Sequence, residues 1–318
     1  MELIRIAMRK DLENDKSLMS KWATVAGLKN PNPLYDFLNH DGKTFNEFSS
    51  LVNIVKSQYP ERENELMKDY CEHLDPNTKA ARSALEYADA NKFYEIEDRL
   101  ISLMIKSSNN KSKEYGKVYE IHRELTQGNI NEFEATKRLG RLNIKTTEMN
   151  NFARISLLYH YLESGNFAPM DRLIKQVDLS EVKENLFLKS LYQTRVFVLQ
   201  SNIKLNENKL SECREYAKKA IDSTNIQRFQ VFSYLTAGNS LLFSDYNQAK
   251  EFFLKGLSAS ADNCIYKRIL GQALCFLNNV WEKENDFLNT DSKEIIDLQE
   301  YAHMLINKKN TEKAKEIL

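Results

Sequence analysis

The stretches NKLSECREYAKKAI at 208–221 and SDYNQAKEFFLKGL at 244–257 share one pattern of polar, small and apolar residues. Each begins with a polar turn and continues with a helix-forming run. The matching small or aromatic positions are Cys213 with Ala249, Tyr216 with Phe252, Ala217 with Phe253, Ala220 with Gly256 and Ile221 with Leu257. Because such positions let paired helices approach closely, the pattern predicts two successive helical hairpins of the same build.

The same kind of turn occurs earlier in the chain, each time followed by an apolar landmark. Successive landmarks are 37, 37, 43 and 36 residues apart. They are Phe93, Ile130, Phe167, Leu210 and Tyr246. A period in this range with two helices per unit is typical of a tetratricopeptide-like solenoid. We therefore predict an all-α fold in which a right-handed helical solenoid of this type spans residues 61–318.

The composition agrees with a nearly all-helical chain. Nine glycines and five prolines among 318 residues leave few strand turns. The hydrophobic fraction of 42% and the charged fraction of 28% are typical of a soluble globular protein. The cysteines (Cys71, Cys213, Cys264 and Cys275) have no paired spacing, and no apolar run is long enough to cross a bilayer. We expect reduced cysteines and a cytoplasmic protein without a membrane partner.

The first sixty residues have a different pattern, which predicts a helix-turn-helix DNA-binding domain over residues 1–60. An apolar helical pattern ends at Gly27, and glycine readily adopts the positive φ that such a turn requires. In the next helix we expect Asn32 to be the N-cap and Pro33 the first helical residue. One more helix follows and ends near Pro60, where we place the boundary with the solenoid.

The helix that begins near Asn32 is the candidate recognition helix. Its N-terminal residues would meet base edges in the major groove, because asparagine can pair with adenine and tyrosine can reach a base or phosphate. The candidates for DNA contact are Asn30, Asn32 and Tyr35 at bases and Lys21, Lys29 and Lys43 at phosphates. The alternative is that the asparagines only turn and cap the chain. The formal net charge of zero gives no further support for a nucleic-acid partner.

A polar set without an evident role in a core lies in the solenoid. Asn202 and Asn206 are four residues apart and share a helix face, and Asn239 follows Asn202 by thirty-seven residues. An amide offers both a donor and an acceptor, so such asparagines can hold the backbone of an extended peptide. Arg228, at the start of the next helix, can bind a terminal carboxylate through two hydrogen bonds. The alternative for a single asparagine is that it caps a helix or bonds to a neighbouring one.

No catalytic or cofactor motif is present in the sequence. It contains no glycine-rich phosphate loop and no serine elbow, and its five histidines are far apart. We therefore predict a protein that is not an enzyme, with no cofactor and no metal site. Glu95, Glu97 and Asp98 are interpreted as a solvated helix face, and Trp22 and Trp281 as anchors of the core.

The sequence resembles the arbitrium receptors of temperate bacteriophages that infect bacilli, a group of peptide-sensing tetratricopeptide regulators. The resemblance covers the whole chain and is clear in MELIRIAM at 1–8, KNPNPLYDFL at 29–38 and ALCFLNNVW at 273–281. It implies a helix-turn-helix transcriptional regulator, in the host bacterial cytoplasm, that governs the lysis–lysogeny decision. Without peptide such receptors activate transcription of a lysogeny-inhibiting locus, and a bound phage-encoded peptide prevents this activation.

The resemblance also implies site residues and partners. It puts Asn202, Asn206, Arg228 and Asn239 at peptide-clamping positions. It further suggests Phe276 and Gln299 as pocket walls and Glu300 as the partner of a cationic peptide residue. The expected partners are a peptide of about six residues, double-stranded operator DNA and a second copy of the chain.

Related receptors continue for more helices, which complete the pocket and carry much of the dimer contact. We therefore expect that this chain is a shortened form, by truncation or in nature, that lacks its C-terminal helices and forms a weaker homodimer. Two other function classes stay open. One is a peptide-sensing protein that regulates a response-regulator enzyme, and the other is a scaffold that docks partner C-termini without binding DNA.

Overall fold

The computed structural model describes residues 2–41, 43–45, 47–183, 185–224, 226–260 and 264–283. Within these ranges the backbone forms α-helices, one short 3-10 helix at Pro60–Arg62 and no β-strand, so the all-α prediction is confirmed. The helices are α1 (Glu2–Asn14), α2 (Leu18–Val25), α3 (Asn32–Asn39), α4 (Phe48–Gln58), α5 (Glu63–Glu72), α6 (Lys79–Ala90), α7 (Tyr94–Ile105), α8 (Asn110–Thr126), α9 (Glu132–Arg141), α10 (Thr147–Glu163), α11 (Met170–Ile174), α12 (Leu186–Asn206), α13 (Leu210–Ser223), α14 (Gln227–Asn239), α15 (Tyr246–Ala259) and α16 (Cys264–Val280).

The chain forms two compact units. One contains residues 1–160 and 175–192, and the other contains residues 161–174 and the chain from 193 onward. In the first unit α6 packs on α7, α7 on α8 and α8 on α9. In the second, α13 packs on α14, α14 on α15 and α15 on α16. In each unit, helices that follow one another in sequence therefore pack as neighbours, as repeated hairpins require.

The first four helices and α5 pack around an apolar core. α1 packs against α2, α3 and α5, and α4 packs against α2 and α5. Trp22 on α2 is buried, which confirms its prediction as a core anchor. Tyr70 on α5 both accepts a hydrogen bond from the backbone N–H of Phe45 at 3.0 Å and donates one to its carbonyl at 2.9 Å. The contact holds the chain between α3 and α4 against α5.

The turn after α2 has the predicted geometry. Gly27 has a φ of +66°, and the backbone N–H of Leu28 donates to the carbonyl of Ala23 at 2.9 Å. The start of α3 differs from the prediction by one residue. Asn32 is the first helical residue and Pro31 is the N-cap, without a side-chain capping bond. The helix starts earlier because the carbonyl of Pro31 already accepts hydrogen bonds from the backbone of α3.

The repeat is visible in the backbone conformation of its turns. Residues with positive φ occur at Lys92, Gly128, Gly165, Asn208 and Glu282. In each case the following residue donates its N–H to the carbonyl five residues earlier, at 2.8 to 2.9 Å, which is the Schellman closure of a helix end. The intervals are 36, 37, 43 and 74 residues, the last close to two repeats. One local geometry thus ends α6, α8, α10, α12 and α16.

Small residues inside the second unit allow close helix packing, as the sequence pattern predicts. Cys213, Ala217, Ala249 and Gly256 are buried. A Cβ atom added to Gly256 would lie 2.9 Å from the Leu270 side chain.

Two sequence interpretations concern side chains elsewhere in the fold. Trp281 is 36% exposed and donates from Nε1 to the carbonyl of Leu242 at 2.7 Å, so its prediction as a core anchor is wrong. Its hydrogen bond holds the end of α16 against the chain that follows α14.

Cys71, Cys213 and Cys275 are buried free thiols, as expected, and the side chain of Cys264 lies outside the described part of the chain. None of the described helices has the length and apolar character that a bilayer-spanning helix needs.

Candidate functional site

All four predicted peptide-clamping residues belong to the second unit. Asn202 and Asn206 are in the last turns of α12, and Arg228 and Asn239 are at opposite ends of α14. Asn206 and Asn239 are exposed, while Asn202 and Arg228 are half-buried. Residues that the sequence separates by up to thirty-seven positions are thus on two helices of successive hairpins.

Asn202 has only part of its hydrogen-bonding capacity satisfied inside the protein. Its Nδ2 donates to the carbonyl of Val198, one turn earlier, at 2.9 Å. Its Oδ1 lies 3.5 Å from the hydroxyl of Thr236 on α14, and that hydroxyl is closer to the carbonyl of Phe232, at 2.8 Å. Since a threonine hydroxyl has one proton, the shorter bond takes most of it. One amide N–H and the Oδ1 of Asn202 therefore stay available to a ligand.

Arg228 is the second residue of α14 and has no hydrogen bond or ion pair with any residue that the structure describes. By contrast, Gln230, two residues further along α14, donates from Nε2 to the carbonyl of Thr224 at 2.9 Å. Eleven residues separate Arg228 from Asn239, which corresponds to about 16 Å along a helix. A fully extended peptide of about six residues spans about 20 Å, so the two side chains could contact opposite parts of one peptide.

Phe276 continues the sequence spacing of two of the asparagines. It follows Asn239 by thirty-seven residues, just as Asn239 follows Asn202. Asn202 and Phe276 also lie six residues before the positive-φ residues Asn208 and Glu282. Phe276 is 41% exposed on α16, and α16 packs against α14. This spacing was present in the sequence, where Phe276 was assigned by the resemblance alone.

Gln299 and Glu300, the other two predicted pocket residues, lie outside the residues that the structure describes.

The predicted DNA-contacting residues near α3 are exposed. Asn30, Asn32 and Tyr35 all face solvent, with Tyr35 at 48% exposure. The side-chain oxygen of Asn30 accepts a hydrogen bond from the backbone N–H of Asn32 at 3.1 Å, which shapes the turn before the helix. Asn30 therefore has the local role that the alternative interpretation assigns to it. The side chain of Asn32 has no such local bond in the described structure.

The three candidate phosphate-binding lysines differ in their surroundings. Lys21 lies 3.4 Å from Asp15, and Lys43 forms an ion pair with Asp36 on α3. The hydrogen bond from Lys43 is the main cause of the lowered pKa of the Asp36 carboxyl. Lys29 is exposed and forms no ion pair within the described ranges. Its charge is the least compensated of the three.

A buried polar cluster in the first unit joins residues that are far apart in sequence. One ligand-type atom each from Asp89, Glu97 and His122 lies within 4.8 Å of the others. Glu97 is fully buried, so its prediction as part of a solvated face is wrong. It lies on the side of α7 that packs on α6 and α8, and the neighbouring Asp98 does face solvent.

Protein groups compensate this cluster. The His122 ring contacts Ser156 Oγ through Nδ1 at 2.7 Å and Asp89 Oδ1 through Nε2 at 3.1 Å. The Arg123 guanidinium lies 4.0 Å from Glu97. Because both ring nitrogens have partners and a cation is already adjacent, we interpret the cluster as a buried network that joins successive repeats. Asp89, His122 and Ser156 are 33 and 34 residues apart, and that near-repeat spacing could have identified the network.

Comparison with known proteins identifies close relatives. The family model described as AimR transcriptional regulator-like matches residues 63–318. The chain is 73% identical to the AimR transcriptional regulator of Bacillus phage SPbeta, over 100% of this chain and 82% of that relative. The resemblance recognised in the sequence is thereby confirmed.

Two solved structures are similar along most of the chain. SeMet-phAimR has a TM-score of 0.84 and 38% identity, over 98% of this chain and 81% of that one. The structure of phAimR-Ligand has a TM-score of 0.72 and 40% identity, over 84% and 79% of the two chains. A protein with this fold is therefore known in a ligand-bound form.

Proposed function

Since the chain belongs to the AimR transcriptional regulator-like family, we propose that it is a DNA-binding regulator controlled by a short phage-encoded peptide. It activates transcription in the absence of peptide and is inactivated when peptide binds, which governs the lysis–lysogeny decision of a temperate phage. Residues 1–60 bind operator DNA, and the solenoid that follows senses the peptide. The protein acts in the bacterial cytoplasm as a homodimer, because a two-fold operator is read by two linked copies of the recognition helix.

The observation that carries the peptide proposal is the row formed by Asn202, Asn239 and Phe276. These residues recur at intervals of thirty-seven on α12, α14 and α16. The two amides can bond the backbone of an extended peptide, and the aromatic ring can contact an apolar side chain. Asn206 extends the row on α12. Arg228, whose guanidinium has no partner in the described structure, supplies a cation for the peptide carboxylate.

The proposed pairing of Arg228 with the carboxylate can be tested by a double-mutant cycle. The ligand is a short peptide selected from a randomised library by binding to the wild-type chain, prepared with a free carboxylate and with a C-terminal amide. We expect Arg228→Ala and amidation each to weaken binding by about tenfold or more, and their combination to weaken it little further. Additive losses would show that Arg228 binds another part of the peptide.

DNA binding and its control by the peptide are tested with a mobility-shift assay. The duplex is selected from a randomised pool by the wild-type chain, and a scrambled duplex of equal composition is the control. We expect tighter binding to the selected duplex and a loss of this binding when peptide is added. Equal affinity for both duplexes would refute sequence-specific DNA binding. Binding that the peptide does not alter would refute the regulatory link.

A further inference from the structure

Arg5 on α1 is a fully buried cation whose guanidinium contacts the end of α3. Its Nε donates to the carbonyl of Phe37 at 2.8 Å, and its Nη2 donates to the carbonyl of Lys43. The guanidinium carbon also lies 4.5 Å from the centre of the Phe37 ring. Arg5 therefore ties α1 to the last turn of α3 and to the chain that follows it.

Arg9 makes a second contact of the same kind one turn further along α1. Its Nε donates to the carbonyl of Leu38 at 2.7 Å, and its Nη2 donates to the same carbonyl. Nη2 also lies 2.7 Å from Oδ1 of Asp41, and the side chain of Arg9 is 39% exposed. Arg5 and Arg9 thus bind consecutive carbonyls at the C-terminal end of α3.

These bonds satisfy groups that a helix end leaves without partners. The last carbonyls of a helix have no intrahelical donor, and they carry the negative end of the helix dipole. In α3 the carbonyl of Asp36 accepts from the backbone N–H of His40, and the next two carbonyls accept from the arginines. An eight-residue helix is too short to be stable alone, so its position depends on such contacts and on its buried apolar face.

We propose that Arg5 and Arg9 are positioning residues for DNA recognition, which hold α3 at its C-terminal end so that Asn32 and Tyr35 are presented at the other. This inference rests on the proposed DNA-binding function. Arg5 is buried and does not reach a phosphate. The guanidinium of Arg9 is partly exposed, so for Arg9 a positioning role and a direct phosphate contact make different predictions.

The test measures the affinity of Arg9→Ala, Arg9→Lys and the control Lys10→Ala for the selected and the scrambled duplex at several salt concentrations. Lysine keeps the charge of arginine but lacks the planar fork that bonds to carbonyl and carboxylate together. We expect both Arg9 variants to bind the selected duplex about tenfold more weakly, with unchanged affinity for the scrambled duplex and unchanged salt dependence. Lys10→Ala is expected to keep the wild-type preference for the selected duplex.

Two results would overturn the inference. The first is wild-type selectivity in both Arg9 variants. The second is an equal loss on both duplexes in Arg9→Ala with a salt slope reduced by about one, which identifies a phosphate contact. Peptide affinity and far-ultraviolet circular dichroism of each variant verify that the chain is folded. If Arg9→Ala does not fold, the DNA-binding comparison is made with Arg9→Lys alone. A wild-type chain that does not prefer the selected duplex refutes the proposed function itself, which is a separate outcome.

Discussion

The side-chain oxygen of Asn202 lies 3.5 Å from the hydroxyl of Thr236, and this contact joins α12 to α14. The hydroxyl makes its shorter bond within its own helix, so the Oδ1 of Asn202 is not saturated. The amide is oriented by the bond from its Nδ2 to the carbonyl of Val198. Thr236 and Cys213, whose thiol contacts the carbonyl of Thr236, are buried, whereas the amide of Asn202 is only half-buried. A polar group in this position combines a defined orientation with free bonding capacity, as a peptide-binding residue requires.

Replacing Asn202 with alanine is expected to weaken peptide binding by about 1–3 kcal/mol, because a desolvated peptide group loses its hydrogen bond. Global stability should change little, since the native contacts of Asn202 are a bond within its own helix and one long bond. Calorimetric titration and thermal unfolding measure the two effects. Asn247→Ala, on the exposed side of α15, is the matched control and should bind peptide like wild type. Equal affinities in the two variants would remove Asn202 from the site.

The exposed amide of Asn32 is expected to read sequence, and the exposed cation of Lys29 to bind phosphate. Asn32→Ala should reduce affinity for the selected duplex more than for a scrambled duplex, because base contacts carry the specificity. Lys29→Ala should weaken both alike and reduce the slope of affinity against salt by about one. Fluorescence anisotropy across a salt series distinguishes them. Since the Asn32 side chain is not a capping group, the helix content of Asn32→Ala should match wild type, and a large loss of it would contradict this account.

The thiol of Cys213 should react slowly in the native protein. It is buried against the carbonyl of Thr236, and burial raises its pKa to about 11 from the ordinary value of 9.0. Because the thiolate is the reactive form, iodoacetamide at pH 8 should alkylate Cys213 far more slowly in the folded chain than in denaturant, as measured by mass spectrometry.

The same pKa shift predicts an effect of alkaline pH. The unfolded chain ionises Cys213 at lower pH than the folded chain does, so this residue should reduce the free energy of unfolding as pH rises above about 9. A Cys213→Ala variant should lack this part of the pH dependence. Alkylation of Cys213 in the native chain at the rate of an exposed thiol would show that this side chain is open to solvent, and would contradict both predictions.

The close contact between α14 and α15 depends on Gly238. A Cβ atom there would lie 2.3 Å from the ring of Phe253, which is fully buried and cannot turn away. Gly238→Ala should therefore destabilise the protein by about 1–3 kcal/mol through overpacking. Gly140→Ala is the control, because nothing lies within 4 Å of its added Cβ in α9. Gly140→Ala should raise stability by about 0.5–1 kcal/mol, because alanine favours a helix more than glycine does. Denaturant unfolding measures both variants, and a Gly238→Ala variant more stable than Gly140→Ala would contradict the packing argument.

The sequence alone determined the features that depend on contacts between residues close in the chain. The repeat turns are of this kind, because a residue such as Gly128 or Asn208 closes its helix through a hydrogen bond that spans only five residues. The end of α2 at Gly27 is closed by a hydrogen bond of the same short span. The spacing of thirty-seven residues that Asn202, Asn239 and Phe276 share was also present in the sequence, and their joint role at a peptide stays a prediction.

Only the tertiary structure decided which charged and polar groups are buried. Glu97 belongs to an acidic run that is typical of a solvated surface, yet it is buried because the packing of α6 and α8 covers its side of α7. No sequence pattern pairs Arg5 and Arg9 with α3, but they bind carbonyls at the end of that helix, which begins more than twenty residues later. Such partners are chosen by how helices pack, and neither the periodicity nor the composition of one segment contains that information.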